Sequence, residues 1–423
     1  MKAIKSDEQD LKKSGIEWVG KSPSSWKLIA NKYVMHKEKI LCEKWNHEDV
    51  LSLTMNGVIV RDLVNPTGKM PATFDGYQYS EKGDLLMCLF DIDVTPRCVG
   101  RVYNDGVTSP AYSNFKLHDN ADLGYYYYYY LMMDHTKELL HLAKNLRHSF
   151  TEEQLGQLKV PLPPLNEQKA IADYLDDRCA KIGTIIAEAK ASIEEYKELK
   201  QAVIYDAVTK GLDKNAEMKD SGVEWIGKTP CTWKVIRVKY LLSEINNRSE
   251  HGMEEPLSVS QVLGIVPSSQ ISVANPTSSY VGQKIVEKHD MVFNRLKAHL
   301  GVFFETKYKG LVSPDYAVFR ANSRVNPKFL EYLFHTPAAI TEFKKYITGV
   351  GDGLRRLYTG DLFNISVSIP SIEEQCEIVS SVESKVHKLN SLMTEKQSLI
   401  EDLESYKKSL IYEVVTGKRK VVD

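Results

Sequence analysis

The chain repeats itself at one fixed interval. The segment KSGIEWVGKSPSSWK at 13–27 returns as DSGVEWIGKTPCTWK at 220–234, which is 207 positions later. Two shorter matches have the same interval: PLNEQ at 164–168 with SIEEQ at 371–375, and IYDAVT at 204–209 with IYEVVT at 411–416. Separated matches at one interval are typical of a duplicated structural unit. The sequence therefore predicts two copies of one unit.

Between the repeated segments, the two copies diverge. LSLT at 51–54 corresponds to LSVS at 257–260, and SPAY at 109–112 corresponds to SPDY at 313–316, at intervals of 206 and 204. Small insertions are thus confined to the globular stretches. Each copy combines a variable globular domain with a more constant helical segment. This organisation suggests one task that is carried out on two different targets.

Two proline-free stretches, 167–209 and 371–414, predict long helices. Their apolar residues recur at steps of three and four, a spacing near 3.5 residues that is typical of a coiled coil. At 1.5 Å per residue, each helix would span roughly 60 Å. Because each helix leads from one domain towards the start of the other copy, the two are predicted to run antiparallel with one domain at each end. A plain dimerisation or spacer coiled coil is the alternative.

The same spacing predicts which residues face the partner helix. The predicted seam of the first helix contains Ile171, Leu175, Ile182, Ile185, Ala189, Ile193, Tyr196, Leu199, Val203 and Ala207. The predicted seam of the second helix contains Ile378, Val382, Leu389, Leu392, Leu399, Leu403, Tyr406, Leu410 and Val414. In addition, Ser371 and Glu374 are placed to form a capping box at the start of the second helix.

The order of these motifs resembles that of Type I restriction–modification specificity subunits. WVGKSPSSW at 18–26 and WIGKTPCTW at 225–233 each open a variable domain. PLPPLNEQ at 161–168 opens the first helix, and the reduced form IPSIEEQ at 369–375 opens the second. The resemblance covers nearly the whole chain.

The resemblance implies an α/β fold with a pseudo-two-fold internal repeat. Two mixed α/β target-recognition domains, at 1–160 and 213–365, would be separated by a long antiparallel two-helix coiled coil. The conserved helical spacers that form this coiled coil would occupy 161–212 and 366–423.

The resemblance also implies a non-catalytic subunit that binds double-stranded DNA. Each recognition domain would read one half of a bipartite site, while the helices set the spacing and hold two methyltransferase subunits. Two motor–nuclease subunits can join. This chain would bind no cofactor itself, because S-adenosylmethionine would belong to the methyltransferase, and ATP and Mg to the motor–nuclease subunit. Subunit or scaffold contacts are expected from Pro163, Pro164, Leu165, Glu167, Gln168, Ile372, Glu374 and Gln375.

Charge alone gives weak support for a nucleic-acid partner, because the net charge of the chain is −1. The segment 219–361 carries 19 basic and 14 acidic residues, whereas 12–157 carries 17 and 18. Arginine suits bidentate guanine contacts and lysine suits phosphates. The candidate DNA contacts are Arg61, Arg97, Lys144, Arg147, Arg295, Lys297, Arg355 and Arg356.

Motifs for catalysis are missing from the sequence. It contains no GxxxxGK[ST] phosphate loop and no paired His/Cys ligands with metal spacing, so we expect neither catalytic nor metal-binding residues. The glycine-rich segment at 349–353 follows a predicted helix at 338–347, which disfavours a nucleotide loop. The six tyrosines at 125–130 are predicted to pack in the core and not to stack on bases.

Cysteine spacing and hydropathy favour a cytoplasmic protein without a membrane segment. The six cysteines form no CxxC pair, and no apolar run approaches the roughly 20 residues that span a bilayer. Two alternatives to a DNA-reading subunit remain open. One is a coiled-coil adaptor whose globular domains bind proteins, and the other is an enzyme fused to a recognition module.

Overall fold

A computed structural model describes the chain over residues 1–68, 70–95, 97–143, 149–261, 263–271, 279–347 and 356–422. Its contacts group the chain into two compact units. The first unit consists of Met1–Lys190 with Ser398–Asp423, and the second consists of Ala191–Gln397. The predicted division into four segments at 160, 212 and 365 stays a prediction.

Two four-stranded sheets form the globular part of the first unit. The central sheet is antiparallel, in the order Met35–Glu38, Ser113–Leu117, Leu85–Met87 and Val99–Arg101. The other sheet has the order Gly57–Val60, Val50–Thr54, Gly106–Thr108 and Gln78–Ser80, and its middle pair is parallel. Smaller ladders pair Lys2–Lys5 with Arg419–Val422, Leu11–Lys13 with Lys21–Pro23, and Lys27–Ala30 with Lys159–Leu162.

The second unit repeats the central sheet strand for strand. Its antiparallel order is Leu242–Ile245, Ala317–Ala321, Met291–Phe293 and Phe303–Glu305. Smaller ladders pair Leu257–Ser260 with Gly264–Pro267, Lys284–Val286 with Gly310–Val312, Met218–Asp220 with Lys228–Pro230, and Lys234–Arg237 with Ser366–Ile369. The predicted duplication is therefore present in the strand order as well as in the sequence.

Short helices flank each central sheet. In the first unit, the α-helices are Leu123–His135, Glu138–Leu142 and Glu152–Gln157, and the 3-10 helices are Glu8–Asp10 and Asn31–Tyr33. In the second unit, the α-helices are Pro327–Phe334, Pro337–Tyr346 and Thr359–Asn364, and the 3-10 helices are Val238–Tyr240, Ser268–Gln270 and Arg295–Leu300. Prolines open two of these helices behind Asn326 and Thr336 caps, which is the position where a missing N–H costs nothing. The helix predicted at 338–347 is thus confirmed.

The tyrosine run lies on the helix Leu123–His135 and packs into the core, as predicted. Five of the six residues are buried: Tyr125, Tyr126, Tyr128, Tyr129 and Tyr130. The Tyr125 hydroxyl donates to the Val415 carbonyl at 3.0 Å, and the Tyr126 hydroxyl donates to the Pro161 carbonyl at 2.9 Å. A buried phenol needs such a partner. This helix therefore joins the globular domain to the end of the second long helix and to the strand that precedes the first.

The two long helices, Leu165–Lys210 and Ile372–Val415, pack antiparallel. In the first unit, Ile171 and Leu175 from the start of one helix share a core with Leu410 from the end of the other. In the second unit, Val208 from the end of the first helix shares a core with Ile378 from the start of the second. Their 46 and 44 residues correspond to about 65–70 Å of helix. The predicted α/β fold with an antiparallel coiled coil is confirmed.

The predicted seam is wrong at several positions. Four predicted seam residues are between 39% and 49% exposed: Ile185, Leu199, Leu399 and Tyr406. Their neighbours face the partner helix instead: Ile186 packs on the core, Ile400 is 3% exposed, and Lys200 Nζ donates to Asn390 Oδ1 at 3.0 Å. Adjacent apolar residues fit a three–four alternation equally well, and a lysine can lay its apolar stem along a seam. The sequence pattern therefore did not determine which of two adjacent residues faces the partner helix.

Candidate nucleic-acid interface

The glutamine of each helix-start motif is buried and forms hydrogen bonds to the backbone of two segments. We call each of these glutamines a latch. The Gln168 side chain accepts from the Asp122 N–H at 2.8 Å and donates to the carbonyls of Asn120 and Pro163 at 3.0 and 2.9 Å. Gln375 repeats this arrangement in the second unit, accepting from the Asn326 N–H and donating to two carbonyls. Each glutamine therefore ties the start of a long helix to the loop that precedes a domain helix.

The neighbouring glutamate of the motif binds the tryptophan that opens each domain. Trp26 Nε1 donates to Glu167 Oε2 at 3.1 Å, and Trp233 Nε1 donates to Glu374 Oε1 at 3.0 Å. Gly417, with a φ of +74°, follows the second long helix, and a Cβ at this position would lie 2.3 Å from Pro23 Cδ. Glycine is therefore required where the helix ends against the first domain.

The predicted scaffold residues thus make contacts inside their own unit. Pro163 and Pro370 supply the carbonyls that the buried glutamines bind. The Glu374 N–H donates to Ser371 Oγ at 3.3 Å, which is one half of the predicted capping box. Leu165 remains 38% exposed and Ile372 is partly exposed. A role of these residues in contacting other subunits stays a prediction.

Three predicted cations belong to one surface region of the second unit. Arg295 and Lys297 lie on the 3-10 helix Arg295–Leu300, which follows the strand Met291–Phe293. The Arg295 carbonyl accepts from the N–H of the residue after Arg356, at 3.2 Å. Lys297 is exposed, and the Arg295 side chain is 26% exposed. We call Arg295, Lys297 and Arg356 the basic corner.

Lys284, a further cation that the sequence analysis missed, lies close to Arg295. Lys284 is 3% exposed, and its ammonium group donates to the Tyr316 carbonyl at 2.8 Å. Burial lowers the pKa of Lys284, and the charges of Arg295 and Arg248 lower it further. In the first unit the equivalent residue is Gln78, whose amide donates to two carbonyls of the SPAY turn. Comparing the two copies at an interval of 206 would have exposed this change from amide to cation.

Arg97 and Arg61 of the first unit are engaged within their own domain. Arg97 Nε donates to the Val99 carbonyl at 3.0 Å, Nη1 donates to the Met55 carbonyl at 2.6 Å, and Nη2 donates to the Tyr127 hydroxyl. Arg61 donates to a carbonyl in the loop that follows it. Arg97 therefore links the loop that contains Met55 to the strand that begins at Val99 and to the helix that carries Tyr127. A direct DNA contact by either arginine stays a prediction.

Three other predicted DNA contacts, Lys144, Arg147 and Arg355, lie outside the described residues. The glycine-rich segment at 349–353 also lies outside them. Their contribution to binding stays a prediction.

Equivalent loops of the two central sheets differ in surface chemistry. In the first unit, the connection at 88–98 exposes Phe90 by 36% and Val94 by 72%. In the second unit, the equivalent connection at 294–302 carries two members of the basic corner. Both connections join the same pair of strands in the repeated sheet. The first connection also exposes Asp91 and Asp93, so one framework presents apolar and acidic side chains in one copy and a basic loop in the other.

The long helices carry exposed apolar residues outside their seam. We call the exposed apolar helix residues of the first unit, Ile185, Leu399 and Tyr406, the outer stripe. Leu399 and Tyr406 are one heptad apart, so they share a face of the second helix. Exposed large apolar side chains in such a pattern mark a surface that another helix can cover.

The described residues give little support for a metal site, a disulfide or a membrane-spanning helix. Within them, no group of three or more histidine, cysteine or acidic residues could hold a metal ion. The cysteines are free, and those at 42, 88, 98 and 179 are buried. None of the helices that the structure describes has the length and apolar character needed to cross a membrane.

Similar proteins are named as specificity subunits. The chain is 26% identical over 284 residues to a putative type I restriction enzyme MjaX specificity subunit of Methanocaldococcus jannaschii, covering 64% of this chain and 62% of that protein. It is 25% identical over 242 residues to the type I restriction enzyme EcoKI specificity subunit of Escherichia coli, covering 53% of this chain and 50% of that protein. The chain thus spans less than two thirds of the length of these curated relatives.

Two solved structures share the fold. A chain from a study of complex assembly and conformational transition of the type I R-M system has a TM-score of 0.67 at 14% identity, covering 94% of this chain and 99% of that one. The HsdS subunit from Thermoanaerobacter tengcongensis has a TM-score of 0.57, also at 14% identity, covering 94% and 98%. At such identities the likeness concerns the fold alone.

A family model matches more than half of the chain. The model describes the Type I restriction modification DNA specificity domain and matches residues 77–195 and 229–402. Each matched range lies within one of the two copies that the 207-residue interval defines. The chain therefore belongs to the family of the Type I restriction modification DNA specificity domain.

Proposed function

We propose that this chain is the DNA-binding specificity subunit of a Type I restriction–modification complex and is not itself a catalyst. Each of its two domains reads one half of a bipartite double-stranded DNA site. The observation that carries the proposal is the contrast between equivalent loops on one repeated framework. Two half-sites of different sequence require such a contrast, because base readout depends on the side chains that each loop presents.

The chemistry of the two loops suits different contacts. In the basic corner, Lys297 suits a phosphate, while Arg295 and Arg356 suit phosphates or the major-groove edge of guanine. Arg295 is already paired with Glu244 at 3.1 Å, so it is the more constrained of the two arginines. In the first unit, Phe90 and Val94 suit the methyl group of thymine.

The outer stripe supports the proposed partners. An apolar strip beside a coiled-coil seam gives helices of another subunit a surface to bury. We assign this role to two methyltransferase subunits, which bind S-adenosylmethionine, and two motor–nuclease subunits with ATP and Mg complete the restriction enzyme. This chain binds no cofactor in that scheme. The complex acts in the cytoplasm, where its DNA substrate lies.

The test is methylation by a reconstituted complex. The chain, the methyltransferase subunit of the same system, and both together are incubated with genomic DNA and S-adenosylmethionine, and the methylated adenines are sequenced. We expect methylation at one bipartite sequence, and only when both subunits are present. Methylation by this chain alone would make it a catalyst. The same sites methylated without this chain, or a complex that retains no DNA on a filter, would favour an adaptor that binds proteins.

A further inference from the structure

An ion pair joins the central sheet of the first unit to the first long helix. Arg101 ends the edge strand Val99–Arg101, and its Nη1 donates to Asp176 Oδ2 at 3.0 Å while Nη2 donates to the other carboxylate oxygen. Asp176 lies on the long helix. The Tyr128 hydroxyl also donates to Asp176, at 2.7 Å. Two parallel N–H···O bonds fix the relative orientation of the groups as well as their distance.

Aromatic rings enclose the Arg101 guanidinium group. Its central carbon lies 4.4 Å from the ring centroid of Tyr127 and 5.4 Å from that of Tyr128. Only 13% of the Arg101 side chain is exposed. Burial opposes the charged form, but the hydrogen bonds and charge of Asp176 outweigh it, so the pKa of Arg101 lies above its ordinary value. The Asp176 side chain is 43% exposed, so the restraint comes from the paired hydrogen bonds and the enclosed guanidinium group and not from exclusion of solvent around both partners.

The contacts continue from this ion pair to an exposed loop. The Tyr127 hydroxyl, next to Arg101, accepts from Arg97 Nη2. Arg97 in turn donates to the carbonyl of Met55, a residue that is 64% exposed. Charged and aromatic side chains thus form an unbroken path from Asp176 on the long helix to a loop on the surface of the first domain.

Over the residues that the structure describes, the second unit shows no equivalent ion pair. Arg101 pairs with Leu85 across its ladder, and at the same place in the repeated sheet Glu305 pairs with Met291. The helix residue that corresponds to Asp176 at the 207-residue interval is Glu383. In the part of the second unit that the structure describes, Glu383 makes no ion pair, and Glu305 contacts His289 Nδ1 at 2.5 Å.

We propose that Arg101 and Asp176 are positioning residues that fix the orientation of the first domain's exposed loops on the long helix. The first half-site is therefore read at a strictly set distance along the DNA. The described part of the second domain shows no such ion pair to its long helix, so the same constraint does not act on the second half-site. The inference rests on the proposed function, because it concerns how the two half-sites are spaced.

The test measures the gap preference of the reconstituted methyltransferase complex. The wild-type site is first read from the methylated adenines. Duplexes then carry the two half-sites at the native gap and at gaps one base pair shorter and longer. For Arg101→Lys and Asp176→Asn, we expect the ratio of altered-gap to native-gap methylation to rise by at least about tenfold, because a displacement near 1 Å can change rates a hundredfold. Asp176→Glu keeps the carboxylate and should give a ratio closer to that of the wild type than Asp176→Asn does, since the equivalent helix position already holds Glu383.

Matched controls separate positioning from folding. Glu305→Gln and Glu383→Gln alter the equivalent carboxylates of the second unit and should leave the ratio unchanged. Wild-type ratios in both Arg101→Lys and Asp176→Asn would overturn the inference. Loss of assembly in both variants, and in Asp176→Glu as well, would also overturn it, because the pair would then serve folding alone. If the wild-type complex shows no sequence preference, the proposed function itself fails.

Discussion

Gln168 and Gln375 explain why a Glu-Gln pair recurs at the start of each long helix. Both side chains are fully buried, and each one satisfies a backbone N–H and two carbonyls. An alanine would leave these groups unpaired, and a buried unpaired polar group costs about 1–3 kcal/mol. The sequence placed both glutamines in the scaffold, but the identity of their partners depends on loops that no local pattern connects.

Gln168→Ala should destabilise the first unit by about 2–4 kcal/mol, because several buried backbone groups lose their only side-chain partner. Thermal or urea unfolding of the purified chain measures this as a lower midpoint. Gln201→Ala is the matched control, since Gln201 is exposed on the same helix. Its effect should stay within about 0.5 kcal/mol. Equal midpoints for the two variants would contradict the latch.

Lys297→Ala tests the basic corner. Loss of one phosphate contact should weaken DNA binding by the complex and reduce the slope of log K against log salt by about one unit. Lys214→Ala is a control on an exposed lysine that follows the first long helix. An unchanged slope for Lys297→Ala, with normal assembly, would place Lys297 away from the DNA.

Among the elements, the long helices were the most predictable. Their apolar periodicity predicted the existence and length of both, and the order of the duplicated domains predicted their antiparallel direction; the structure differs at their ends by only a few residues. The seam was less predictable, because at Ile185–Ile186 and Leu399–Ile400 either neighbour satisfies the spacing. The short strands gave no usable topology from sequence, since their pairing joins segments far apart in the chain. The change from Gln78 to the buried cation Lys284, in contrast, is visible when the two copies are aligned at an interval of 206.

Ile185→Glu tests whether the outer stripe binds the methyltransferase subunit. Ile185 is 43% exposed, so the chain should stay folded while the affinity for the partner falls by about tenfold or more, since burying a carboxylate in an apolar contact is costly. Ala187→Glu introduces the same charge about 200° around the helix and should bind normally. Calorimetry or size-exclusion chromatography with the partner reads out the difference. Equal binding by the two variants would exclude Ile185 from the interface.

A four-residue insertion after Glu195 tests the long helices as a ruler. It adds about 6 Å of helix and turns it by about 400°, which keeps the seam nearly in phase, although it locally unwinds the supercoil. The gap between the methylated half-sites should grow by about one or two base pairs at 3.4 Å per step.

The control for the ruler is a two-residue insertion at the same place. It rotates the downstream seam by about 200° and should prevent assembly. An active complex with the four-residue insertion and an unchanged gap would contradict the ruler.

For the whole molecule, duplication is the property that links sequence to function. The same strand order recurs around Leu85–Met87 and Met291–Phe293, and each copy holds the start of one long helix through its own glutamine. Selection for a new DNA target can then change the exposed loops of one domain and leave the latch and seam intact. The loops of one domain can change without affecting the other domain, because each central sheet and its latch lie within one unit.

Exchange of one recognition domain tests the central claim most directly. The second domain, 225–361, is replaced by the equivalent segment of another family member, and the methylated adenines of the reconstituted complex are sequenced. We predict that one half of the bipartite site changes while the other half, read by the first domain, stays as in the wild type. A simultaneous change in both halves, or an unchanged site, would contradict the account that each domain reads its own half of the DNA.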